Sequence, residues 1–295
     1  MTAPASIKMR SWLFAPGDSE KKMGKAIASD ADIALLDLED SVVPARKVDA
    51  RQMVAEAIAS ASASDKRRVW VRVNPLSGDW TRGDLEAVIA AAPGGIFLPK
   101  AEGGHDVVTL DAMITPLEQA AGIEVGSTKV AALVTETAAA MFTTGTYDGA
   151  PRLTAMSWGA EDLSSELGAS EQRGADGEYT HVFEMARSLC LLGAIKAGVM
   201  PLETVQPEFR DLEALEARAR KVRAQGFRGM LAIHPAQIAP INAAFTPSAE
   251  ELAHARAIVQ AFADNPTAGA LQLDGNMIDR PHLALAQRLL AEAGE

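Results

Sequence analysis

Cysteine is nearly missing from this chain: Cys190 is the one thiol among 295 residues. That excludes an intrachain disulfide and every multi-cysteine metal motif, and leaves a buried structural thiol of an intracellular protein as the expectation. Cations are also scarce, with 28 Lys and Arg against 39 Asp and Glu, a formal net charge of −11. Such a balance argues against a broad polyphosphate-binding surface, so nucleic acid is not an expected partner; a local basic pocket for a small anion remains compatible. No apolar run approaches the roughly twenty residues of a membrane span, and MTAPASIKMR (1–10) lacks the apolar core of a secretory signal. A cytoplasmic protein without membrane contact is expected. Neither a G-x-G-x-x-G nor a G-x-x-x-x-G-K-[ST] loop occurs, which removes the usual glycine-rich phosphate cradles.

What is present is a rhythm, set in the composition of an ordinary globular protein, 48% hydrophobic and 23% charged. Eight short apolar runs each lead into a helical pattern: SWLF (11–14), IALLDL (33–38), RVWVRV (68–73), GIFLP (95–99), VAALVT (130–135), LTAMSW (153–158), the weaker VMPLETV (199–205) and GMLAIH (229–234). Continuous apolar runs suit parallel strands covered on both faces. Eight βα units in about 250 residues fit a (β/α)8 TIM barrel better than an open doubly wound sheet. The barrel is expected over 1–246. The remainder, 247–295, reads as a helix (248–263), a hairpin turning at Asp274-Gly275 and a last helix (281–293), a helix-hairpin-helix extension.

A barrel gathers its chemistry at the C-terminal ends of the strands. Those positions hold Asp37, Glu39 and Asp40, then Arg72 and Asn74, Lys100, Glu136, Glu161 and Asp162, and His234. Carboxylates outnumber cations there. Such a cluster repels itself unless protons or a cation compensate, and hard oxygen donors without thiolates favour Mg2+ over zinc. Simpler readings stay open at several positions. Asp40 and Asp162 each suit a helix cap or turn, Arg72 suits a structural ion pair, His234 suits a loop-holding hydrogen bond better than metal ligation, and Lys21 with Lys25 suits a solvated helix face. Glu136 is harder to reduce to structure, because the TAAAMF (137–142) that follows it brings no basic partner.

The segments RSWLFAPGD (10–18), ADIALLDLEDSVVPARKVDAR (31–51), VRVNP (71–75), FLPKAE (97–102), TET (135–137), WGAEDLSSELG (158–168), GFRGMLAIHPAQI (226–238) and LDGNMIDRP (273–281) together resemble the citrate lyase beta-subunit-like proteins of the HpcH/HpaI aldolase and malyl-CoA lyase superfamily. The resemblance implies a carbon–carbon lyase that uses Mg2+, or Mn2+, on acyl-CoA thioesters such as malyl-, citramalyl- or citryl-CoA, releasing a 2-oxoacid and an acyl-CoA. A thioesterase, a CoA-independent 2-oxoacid aldolase and an assembly-dependent citrate lyase subunit are the alternatives.

Carried over by position, the resemblance makes Glu136 and Asp162 the metal ligands, Glu39 and Asp40 acceptors for metal-bound water, and Arg72 and Lys100 substrate contacts. Asp37 is expected to face away from Glu39 and to serve structure. Asp279 is expected to reach a neighbouring subunit's site and exchange the enolate proton there, which implies a homotrimer or hexamer; on local sequence alone it is a surface N-cap. Two positions depart from the family pattern. Glu203-Thr204-Val205 stands where Asp-Thr-Val is usual, and Met230 follows Gly229 where a lysine often does.

Overall fold

The computed structural model describes residues 8–295, so the reading of 1–10 as leaderless falls mostly outside the described residues. Eight parallel strands close into a barrel: β1 Ser11–Pro16, β2 Ile33–Asp37, β3 Val69–Arg72, β4 Gly95–Leu98, β5 Lys129–Leu133, β6 Leu153–Ser157, β7 Met200–Glu203 and β8 Gly229–Ala232. Each pairs with the next, and β8 closes on β1 through Trp12 opposite Leu231. All eight apolar runs became strands: β1 continues two residues past its run to Pro16, and each of the other seven ends one or two residues before its run does. The (β/α)8 expectation holds.

Alternation along each strand decides what fills the barrel. Ile33 and Leu35 of β2 point inward with Trp70 of β3, Phe97 of β4 and Trp12 of β1, all at most 3% exposed. Trp12 meets Trp70 edge-on at 4.8 Å between ring centres and Phe97 at 5.9 Å, the favoured geometry for aromatic quadrupoles. Three aromatics, from β1, β3 and β4, thus plug the interior. Asp37 and Arg72 are the next inward positions on β2 and β3 and are register partners, so the packed floor gives way directly to a charged layer.

The chain divides into two compact units, the barrel through Asn242 and a second unit from Ala243 to Glu295. The second contains the helix Ala249–Asp264, a hairpin of β9 Ala270–Leu273 and β10 Asn276–Asp279, and the helix Arg280–Ala293. Asp274 and Gly275 both have positive φ, 49° and 81°, as a two-residue type I′ turn requires. Ala255, Ile258, Phe262, Ile278 and Ala286 form its own apolar centre. Among the described residues no helix is long and apolar enough to cross a membrane.

Candidate active site

Asp37 explains how IALLDLED tolerates its charge. Its two carboxylate oxygens accept from Arg72 Nε at 2.7 Å and Nη2 at 2.8 Å, and also from the backbone N–H groups of Glu39 and Ser41 at 2.9 and 3.2 Å. Burial alone would raise its pKa, but Arg72 and these donors hold it below the ordinary range. Asp37 therefore closes the turn after β2, as its structural reading required. The expected divergence from Glu39 is corrected: positions two apart share a strand face, and both reach Arg72, whose Nη1 lies 2.7 Å from Glu39 Oε2. That contact is off the N–H direction, so Oε2 is charge-paired without a hydrogen bond.

A buried lysine fixes this turn from behind. Lys47 Nζ donates to the carbonyls of Leu38 and Glu39 at 2.8 and 2.9 Å and to Asn74 Oδ1 at 2.6 Å. Asn74 in turn donates to Leu38 O and Asp84, and Asp84 is paired with Arg51. The sequence reading missed Lys47, since a lysine opening an amphipathic helix looks like a solvated residue. Its 8% exposure shows otherwise.

Three further strands deliver the remaining groups. Glu136, beyond β5, is 3% exposed; its Oε2 accepts from the backbone N–H of Lys100 at 2.6 Å. Burial, then the nearby charges of Glu39 and Asp162, push its pKa up to about 8. Gly159 is required beside it: a Cβ there would stand 2.8 Å from Glu136 Cγ and 2.9 Å from Oε1. Asp162 lies in the first turn of the helix Ala160–Leu167, whose N-cap position is Gly159, so Asp162 is not the cap that local sequence allowed. A carboxylate there is stabilised by the helix dipole. Lys100 Nζ bridges Glu39 Oε1 at 2.8 Å and Asp162 Oδ1 at 3.0 Å, so the residue expected to contact substrate sits between carboxylates. Asp40 is 60% exposed at the rim, 3.9 Å from the same ammonium.

These groups open onto a cavity of about 650 Å³ lined by Asp37, Asp40, Arg72, Glu136 and Asp162 with apolar walls from Phe14, Leu133, Trp158, Val205 and Leu231. Phe14 lies under the Arg72 guanidinium, 4.8 Å from its centre. Lys22 and Lys25 stand at its edge; Lys21 and Lys25 are exposed, as a solvated face requires, and residues 22, 25 and 26 share the face of the helix Glu20–Ile27 that borders the cavity. His234 holds a loop as expected, accepting from Ala236 N–H through Nδ1 at 3.2 Å, and stacks on Phe209. Glu203 is buried at the end of β7, where Arg218 and Trp158 Nε1 bind its Oε1 at 2.6 and 3.1 Å. Cys190 is fully buried.

The donor set suits a hard divalent cation. Glu136 is a buried carboxyl whose charge is under-compensated, and Gly159 leaves its Oε1 free of a neighbouring Cβ. Among the described residues no three His, Cys, Asp or Glu converge into a closed metal cage. Two carboxylates with water and substrate completing the shell is how Mg2+ is commonly held, so Glu136 and Asp162 fit it and a structural zinc does not.

In the second unit, Asp279 caps the helix Arg280–Ala293 by accepting from His282 N–H, and the His282 imidazole lowers its pKa. The N-cap reading from local sequence is thus seen directly.

A sequence model of the HpcH/HpaI aldolase/citrate lyase family matches residues 10–235. A citrate lyase subunit beta-like protein of Mycobacterium tuberculosis is 37% identical over 284 residues, covering 96% of this chain and 95% of its own. A (3S)-malyl-CoA thioesterase of Cereibacter sphaeroides is 32% identical over 286 residues, covering 96% and 94%. Among solved structures, protein CitE from Mycobacterium tuberculosis in complex with magnesium, acetoacetate and coenzyme A matches with a TM-score of 0.79 at 36% identity, covering 98% of this chain and 99% of that one. The family match spans every barrel strand from Ser11 to Ala232, so the likeness is to the whole barrel and not to a fragment: the chain belongs to the HpcH/HpaI aldolase/citrate lyase family, and with it to the carbon–carbon lyases.

Proposed function

We propose that the chain is a Mg2+-dependent lyase that cleaves or forms the carbon–carbon bond of a 3-hydroxy-3-carboxyacyl-CoA-type thioester such as malyl-, citramalyl- or citryl-CoA. A 2-oxoacid and an acyl-CoA are the other side of the reaction. The observation that carries this reading is the under-compensated buried Glu136 facing a cavity with a guanidinium on its floor and two lysines at its edge. The magnesium, acetoacetate and coenzyme A bound by CitE support it.

Glu136 and Asp162 would hold the cation, with Mn2+ as an acceptable substitute. When bound, Mg2+ supplies Lewis-acid polarisation of the substrate's oxygens. Arg72 lines the cavity while Asp37 fixes its plane, so it would orient the oxoacid carboxylate by a charge-assisted contact. Glu39 and Asp40 would orient water around the cation. Lys22 and Lys25 would meet the anionic arm of the thioester at the mouth. Phe14, Leu133 and Val205 line the cavity and would exclude water from the thioester carbonyl, where charge develops as the bond breaks. Cleavage takes the hydroxyl proton away, turns that carbon into the oxoacid carbonyl and leaves the electron pair on the thioester enolate, whose carbon must then be protonated.

Asp279 of a neighbouring copy would exchange that proton, with the second unit acting as a lid, in a homotrimer or homohexamer. The site of action would be the cytoplasm. The malyl-CoA thioesterase relative favours a second reading, in which water attacks the thioester and releases free CoA with the carbon skeleton intact. Incubating the purified chain with malyl-, citramalyl- and citryl-CoA and the corresponding free acids, then identifying products by mass spectrometry, separates them. Lyase chemistry gives an oxoacid and an acyl-CoA; an intact hydroxydiacid with free CoA means hydrolysis, and turnover of the free acids alone means a CoA-independent aldolase.

A further inference from the structure

Lys100 has an unusual position, and nothing in the proposed chemistry uses it. Its φ is +51°, a left-handed conformation that a residue with a side chain rarely adopts, and it occupies the loop directly after β4. That conformation lets one residue touch both candidate metal-holding carboxylates. Its backbone N–H donates to Glu136 Oε2 at 2.6 Å while its ammonium reaches Asp162 Oδ1 at 3.0 Å and Glu39 Oε1 at 2.8 Å. A lysine is ordinarily protonated near neutrality, so this ammonium brings a full positive charge against both carboxylates. Arg72 is committed to Asp37 and Glu39, and among the described residues Lys100 is the cation seen paired with Asp162.

We infer that Lys100 is the built-in counterion of the metal site: its ammonium neutralises Asp162 and Glu39 when the divalent cation is absent and must leave Asp162 when the cation arrives. The inference rests on the proposed metal role of Glu136 and Asp162. Two cations compete for one carboxylate oxygen, and like charges a few ångströms apart repel by an amount worth roughly a factor of ten or more in affinity even with substantial screening. Lys100 thereby lowers metal affinity while holding the carboxylates in place for its return. Once displaced, the ammonium keeps Glu39 and the rim carboxylate of Asp40 as carboxylate neighbours. The backbone bond to Glu136 does not depend on the side chain, so the geometry of Glu136 survives replacement of the lysine.

Mn2+ binding followed by electron paramagnetic resonance, without substrate, tests this in the full-length chain. Lys100→Met should bind Mn2+ about tenfold or more tightly than the wild type, and Lys100→Arg, which keeps the charge, should stay within a few-fold. The melting temperature in chelator should fall for Lys100→Met and recover with Mn2+, which also shows that the variant folds. Wild-type protein that binds no Mn2+ overturns the metal site itself. A wild type that binds while Lys100→Met binds equally or more weakly overturns the counterion role and leaves the site standing.

Discussion

Proton release on metal binding is the sharpest consequence of the geometry around Glu136. Its pKa of about 8 means that near neutrality the carboxyl is mostly protonated, and a cation that takes it must first displace that proton. With a single such group, apparent affinity falls about tenfold per unit below that pKa, so it should weaken about 50-fold between pH 8 and pH 6. Stability follows the same linkage. A folded pKa above the ordinary 4.5 favours the fold below about pH 4.5 and withdraws that support as pH rises through 8, costing the metal-free protein about 2 kcal/mol between pH 6 and 8. Added Mg2+ should restore it. Isothermal titration with Mg2+ or Mn2+ in buffers of different ionisation enthalpy gives the affinity and counts the protons, about one per ion at pH 7. Glu136→Gln should flatten the apo stability profile and lose most of the binding. Affinity independent of pH from 6 to 8, or unchanged in Glu136→Gln, would refute the reasoning.

Three other outcomes can be checked independently. Arg72→Lys loses the paired contacts to Asp37 and leaves a buried carboxylate poorly matched, so chemical denaturation should show a loss of about 3 kcal/mol; an unchanged midpoint would mean the pair is not the keystone of the β2 turn. Glu118 is buried beneath Arg152, Gly126 and Thr128, and although burial opposes its charge these donors bring its pKa down to about 2. Its support is present above about pH 4.5 and should be lost by about 3 kcal/mol as pH falls to 2, a slope that Arg152→Met should make shallower, the Gly126 and Thr128 donors remaining. Asp279→Asn should lose turnover while retaining metal binding, and mixing it with Glu136→Gln should restore activity if Asp279 serves a neighbour; no recovery in demonstrably mixed oligomers would place it in cis or outside the reaction.

The barrel was legible because buried parallel strands need continuous apolar residues, and each of the eight runs carries them. The carboxylates of the mouth were legible for the same reason: they stand where apolar runs stop. Partners were not. Asp37 and Arg72 lie 35 positions apart in sequence, and only the β2–β3 register makes them neighbours. Lys47 looked like a surface residue because its three acceptors are two backbone carbonyls and an amide from another loop, none of which leaves a mark in composition. Lys100 was placed at the mouth but given to substrate, since a left-handed residue that turns its ammonium back onto Asp162 has no sequence signature when it is not glycine. Lys25 was legible as a solvated residue but not as a neighbour of the cavity, because a helix face can border a cavity and water at once.

The most direct measurement is turnover of malyl-, citramalyl- and citryl-CoA before chelation, after exhaustive chelation and after Mg2+ is returned, in the wild type and in Glu136→Gln. The account predicts oxoacid and acyl-CoA from at least one thioester, complete loss on chelation, full return with Mg2+ in the wild type and no return in Glu136→Gln. Cleavage that persists without a divalent cation, or that Glu136→Gln supports as well as the wild type, would contradict it.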